Sequence, residues 1–156
     1  MKLEDAEAIA GNVVEDLKGH CLKIEIVGSI RRKKPEVKDI DLVVIPAIGP
    51  GILDAVKRLP IQGMAVKGEK IVRATLDSGI NLDIYIADAL TFETLKLIRT
   101  GSVEHNIRLC SIARQKGWLL KANGEGLLDG RGNVLDRTED GILKMLLGHV
   151  PKPEER

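Results

Sequence analysis

Asp39 and Asp41 stand two positions apart at the mouth of an apolar run that continues to Ile45. Alternate side chains of a strand share a face, so both carboxylates project to the same side. Unpaired, they repel each other. Asp83 lies in an alternating segment where Ile80, Leu82, Ile84 and Ile86 take one face and Asn81, Asp83 and Tyr85 the other. A sheet that brings Asp83 beside the pair gathers three anions at the edge of a core. Such a cluster calls for a cation, and oxygen donors without histidine or cysteine select Mg²⁺ or Mn²⁺ over zinc. Taken alone, the Asp-x-Asp pair also reads as a solvated strand end.

Gly28-Ser29 precedes that pair by a short basic loop, where a strand ends and a helix could begin. A glycine lets a phosphate approach the backbone, the serine hydroxyl and nearby N–H groups donate to it, and Arg32 supplies charge-assisted bonds. Together these residues read as triphosphate donors facing a metal site. Two ions roughly 3.5 to 4 Å apart would activate an attacking hydroxyl and steady a pyrophosphate leaving group.

The elements that must hold these residues follow from periodicity. Leu3, Ala6, Ile9, Ala10, Val13 and Leu17 recur at three and four residues, an amphipathic helix that Gly19 ends. Leu22, Ile24 and Ile26 alternate with charges as a half-buried strand running into Gly28, and residues 39–45 form a second strand. A helix is expected over 52–59, then two strands within 70–87 around the turn Asp77-Ser78-Gly79. Thr91 and Ser102 are expected caps of two helices, followed by short strands at 118–121 and 127–128 and a helix over 138–147. Strands dominate before Asp88 and helices after it. The expected fold is α+β: a mixed-sheet unit over 1–88 and a small α/β lobe over 89–156.

Composition narrows the function. Basic and acidic residues number 24 and 23, a net charge of +1, which excludes coating nucleic acid by bulk electrostatics. Aromatics are 2% of the chain, too few for a base-stacking platform. The longest apolar stretch, 42–48, is far below the roughly 18 residues of a membrane span, and the acidic start is unlike a signal peptide, so a cytoplasmic protein without membrane contact is expected. Cys21 and Cys110 have no zinc or disulfide spacing.

GSIRRKKPEVKDIDLVV resembles the G-S-x-R-R…D-x-D signature of family X DNA polymerases, the polymerase beta-like branch of the nucleotidyltransferases; NLDIYIAD resembles the strand of that family's third aspartate, and TGSVEHNIRL its T-G-S-x-x-[FH]-N helix. The resemblance runs from about Leu22 through the C-terminal part. It implies a nucleotidyltransferase-type palm followed by a nucleotide-selecting lobe. Asp39 and Asp41 would bridge both metals, and Asp83 would complete the site of the ion that activates a primer 3′-hydroxyl. Gly28, Ser29 and Arg32 would hold the β- and γ-phosphates, Thr100-Gly101 would turn beneath the sugar, Asn106 would meet the incoming nucleotide from the minor-groove side, and His105 would pack or touch that nucleotide. The implied partners are dNTP and primer-template or gapped DNA, the cofactor two Mg²⁺ or Mn²⁺ ions, and the state a monomer.

Departures from the family pattern are equally specific. Ile98 and Arg99 replace the aromatic pair usual beside the sugar, and Cys110 stands where a template-reading arginine is common. Nothing upstream corresponds to the family's lyase and helix-hairpin-helix regions, so lyase activity is not expected and a partner protein could supply DNA grip. Two other readings stand beside the polymerase: a nucleotidyltransferase acting on RNA ends, a protein or a small molecule, and a non-catalytic nucleic-acid-binding module.

Overall fold

The computed structural model describes residues 1–49 and 51–156. Helix α1 (Leu3–Leu17) buries Ala6, Ala10, Val13 and Leu17, the stripe its periodicity requires, and carries Glu4 and Asp5 where the N-terminal end of the dipole favours anions. Strands β1 (Cys21–Val27) and β2 (Asp39–Pro46) flank the one-turn helix α2 (Gly28–Arg31). Helix α3 (Gly51–Lys57), shorter than the expected 52–59, leads to β3 (Ile61–Lys67), β4 (Ile71–Leu76) and β5 (Asn81–Ile86).

The five strands order as β1-β2-β5-β4-β3. Only β2 and β5 run parallel; the other pairs are antiparallel. One face buries Ile40, Leu42, Val44, Leu82 and Ile84 with α1 and α3. On the opposite face, α4 (Phe92–Thr100) lays Phe92 and Leu95 over Val27, Val43 and Tyr85. That cover stops partway along the strands. Beyond it the same face carries polar side chains, so a single strand alternation yields both an apolar floor and an acidic edge.

The remaining elements are α5 (Val103–Gln115), β6 (Leu119–Lys121), β7 (Gly126–Leu128), β8 (Val134–Asp136) and α6 (Glu139–Leu147), with the last three strands in a separate sheet. Their core joins Leu97, Leu109, Leu120, Leu127, Ile142 and Leu143. Ser102 caps α5 by accepting from the His105 N–H at 3.2 Å, and Thr138 caps α6 from the Gly141 N–H at 3.0 Å. The expected Thr91 cap differs: its hydroxyl exchanges hydrogen bonds with Asp88 instead of capping α4. Cys21 and Cys110 are free and half-buried. The α+β class is as expected; β3 and β8 are additions to it.

Candidate active site

The parallel β2–β5 register places Asp41 opposite Asp83, and the antiparallel β4–β5 register places Arg73 opposite Asp83. One row across the sheet therefore reads Asp41, Asp83, Arg73. The next row reads Asp39, Asn81, Thr75, tied by hydrogen bonds from Thr75 Oγ1 to Asn81 Oδ1 at 3.0 Å and from Asn81 Nδ2 to Asp39 Oδ1 at 3.4 Å. Two strands distant in sequence thus bring all three predicted acids to one edge. Arg73 Nε donates to Asp83 Oδ1 at 3.2 Å. Among the described residues, no three His, Cys, Asp or Glu side chains converge on a common point for one ion.

Asp41 sits where the apolar floor ends. Burial, followed by the charges of Asp83 and Asp39, pushes its pKa up to about 6. Burial likewise raises that of Asp83, with Arg73 opposing and Asp39 adding to the shift. A carboxylate held at such a cost in ionisation is one a cation would relieve.

Gly28, at φ 65°, presses its Cα against this acid: a Cβ there would overlap the Asp41 carboxylate. Glycine is required here by both space and conformation. Gly28, Ser29, Arg32, Asp39, Asp41, Gly101 and Asn106 line one cavity of about 660 Å³, with Tyr85, Ile98, Arg99 and Val103 also on its wall. Asp83 lines a second cavity of about 320 Å³ with Arg73, Thr75 and Asn81, and Asp39 borders both.

The other predicted site residues are placed differently. Thr100 is buried, its hydroxyl accepting from Arg31 Nη1 at 2.7 Å and donating to the Lys96 carbonyl at 2.6 Å, so it supports the turn from below. Arg32 Nη1 donates to the Thr100 carbonyl, which spends part of the guanidinium on fixing that turn. Asn106 donates to the Ile98 carbonyl at 2.8 Å and keeps a buried, unpartnered Oδ1. His105 is buried with neither ring nitrogen partnered, and burial together with the charges of Arg156 and Arg108 lowers its pKa.

Sequence reasoning missed two arrangements. Arg99 stacks on the Tyr85 ring, 4.1 Å from its centroid, inside the larger cavity. Arg31, in the basic segment that follows Gly28-Ser29, grips Glu139 with two hydrogen bonds. The Tyr85 alternation marked that ring as facing the acids, but no local signal joins Arg31 to a residue in α6.

A mixed sheet with in-register acids on its parallel pair, a glycine turn against them and a helix-topped cavity give this chain the polymerase beta fold. Two structures of Leishmania infantum polymerase beta, a ternary P/T complex and a ternary gap complex, each superpose with a TM-score of 0.81. Their identities are 20% and 19%, and the match covers 100% of this chain and 76% and 70% of theirs. Over 101 residues the chain is 28% identical to the DNA polymerase/3′-5′ exonuclease PolX of Bacillus subtilis (strain 168), a span of 63% of this chain and 18% of that protein. No family model matches the chain. No helix among the described residues is long and apolar enough to cross a membrane.

Proposed function

We propose that this chain transfers a nucleoside monophosphate from a dNTP to a DNA 3′-hydroxyl, as a monomeric, distributive polymerase that fills short gaps in cytoplasmic DNA repair. The observation that carries this reading is the acidic row standing between two cavities. The larger offers Gly28 and Ser29 near Asp41, and Asn106 and Val103 on the wall from α5, a span suited to a nucleotide laid from phosphates to base. The smaller offers Arg73, Thr75 and Asn81 to an acceptor strand. Residues 1–88 then act as the catalytic palm and 89–156 as the nucleotide-selecting lobe.

Asp39, Asp41 and Asp83 would hold Mg²⁺ or Mn²⁺: the donor set is all oxygen, and burial beside two other carboxylates gives Asp41 a raised pKa that a bound cation would lower. Two bound ions would neutralise charge developing on the transferred phosphoryl group and favour ionisation of the acceptor hydroxyl. The chain's own groups do the rest. Gly28 leaves room for the Asp41 carboxylate, Ser29 and the free donors of Arg32 bind the β- and γ-phosphates, and Asp83 accepts the 3′-hydroxyl proton. Gly101 and Ile98 flank the sugar, while Asn106 orients the base once its amide leaves the Ile98 carbonyl. His105 packs behind them.

Primer extension on gapped, recessed and single-stranded DNA, with dNTPs and NTPs run separately, tests reaction, acceptor and sugar together. Incorporation opposite a gap is expected, weak because a net charge of +1 leaves little cationic excess to hold DNA, and falling as salt competes for the phosphate contacts that are made. Labelling of tRNA or protein without primer extension would overturn this reading, as would salt-resistant processive synthesis its distributive part.

A further inference from the structure

Asp83 is the one acid of the row with an ion-pair partner among the described residues; Asp39 and Asp41 have none. That partner, Arg73, comes from the neighbouring strand and is 51% exposed, while Asp83 is 15% exposed. Its guanidinium stands at the second cavity, beside Thr75 and Asn81, so it faces outward while tied inward. Arginine competes with a divalent ion for the same carboxylate. It also has a planar fork of donors that suits a phosphodiester better than the single Nε contact seen here. Arg73 is half-exposed and holds Asp83 through one contact, so its guanidinium can change partners without leaving solvent.

We propose that Arg73 is a positioning residue that couples acceptor binding to metal capture: the phosphodiester of a nucleic-acid end draws Arg73 off Asp83 and leaves that carboxylate free for a divalent ion. The inference rests on the polymerase reading for its acceptor. It would keep the protein from holding a loaded metal site before DNA is bound.

The test is Mn²⁺ binding followed by electron paramagnetic resonance, with and without a primer-template ending in a 2′,3′-dideoxynucleotide and with no dNTP. In the unaltered chain, DNA should tighten Mn²⁺ roughly tenfold, the effect of moving one positive charge away from the ion. Arg73→Gln should bind Mn²⁺ that tightly without DNA and gain little from it. Should Arg73→Gln fail to fold, Arg73→Lys keeps the charge but loses the fork, and DNA should then tighten Mn²⁺ less than in the unaltered chain. Equal Mn²⁺ affinity in Arg73→Gln and the unaltered protein, or equal tightening by DNA in all variants, overturns the proposal. Primer extension run in parallel separates the two ideas: extension without any link between DNA and Mn²⁺ removes only the role of Arg73. No extension on any primer removes the polymerase reading, whereas tighter Mn²⁺ in Arg73→Gln would still support Arg73 as the counter-cation of Asp83.

Discussion

Glu139, at the start of α6, binds Arg31, at the end of α2, through two N–O contacts of 2.6 and 2.7 Å across 108 residues of sequence. Arg156 Nη1 adds a third at 3.1 Å, and Glu139 and Arg156 are both buried. The carboxylate therefore fastens the helix next to the glycine turn to the second core.

Removing that carboxylate leaves two guanidinium groups facing each other. Glu139→Gln should lose about 3 kcal/mol of stability, the usual cost of breaking a buried pair from one side. Urea unfolding with an unchanged slope measures it.

The same residue sets an acid limit. Burial opposes ionisation of Glu139, but Arg31 and Arg156 outweigh it and hold its pKa below the ordinary value. A depressed folded-state pKa gives stability that is present above the unfolded value, about 4.3, and lost as pH falls through the folded one. Unfolding midpoints of the unaltered chain should drop below about pH 4 through this group, and the drop should shrink in Glu139→Gln.

Asp41 has the opposite sign. Its folded pKa of about 6 lies above that of the unfolded chain, so in chelator the protein should lose stability as pH rises from about 4 to about 6. Asp41→Asn should remove that slope and, without metal at pH 7, raise stability by on the order of 2 kcal/mol. Thermal melts in EDTA across pH 4 to about 8 decide it. A flat profile in the unaltered chain would falsify the raised pKa.

Gly28→Ala should be worse for activity than for folding. The added methyl displaces the Asp41 carboxylate and strains a positive φ, costing about 1 to 3 kcal/mol of stability and at least about 100-fold in incorporation. Steady-state extension on folded protein, checked by circular dichroism, measures both effects.

Asp83→Asn should keep nucleotide binding and lose metal-dependent incorporation by about 10² to 10⁴, the range for removing a general base. Calorimetric titration of a dNTP beside single-turnover extension separates the two steps. Unchanged extension would remove Asp83 from the chemistry, whereas no extension by either protein, with nucleic-acid binding kept, would favour a non-catalytic module.

The sequence alone carried the acidic edge well, because strand alternation fixes which face Asp39, Asp41 and Asp83 share, and their register needed only the correct partner strand. It carried α1, α5 and α6 through periodicity and capping. Strand β3 was hidden because register shifts near Gly63 and between Met64 and Val66 break its alternation. Strand β8 is as short as β6 and β7, and with Val134 exposed and Leu135 and Asp136 both half-buried it has no alternation to read. The partner of Arg31 had no sequence signal, because nothing in a basic segment names the distant carboxylate it meets, and Arg73 shows its contact with Asp83 only once β4 is set beside β5. The motif places Thr100 at the turn, but the two hydrogen bonds that use its hydroxyl beneath that turn had no sequence signal.

Parallel pairing of β2 with β5 has a kinetic corollary. The two strands cannot join by a tight turn, so α3, β3 and β4 must form the crossover before Asp41 meets Asp83. Closing that long loop is paid in chain entropy ahead of any contact, which makes the β2–β5 seam a late event in refolding. Amide protection there should lag behind the β3–β4 hairpin, and competence for chemistry should arrive with the last protons to become shielded.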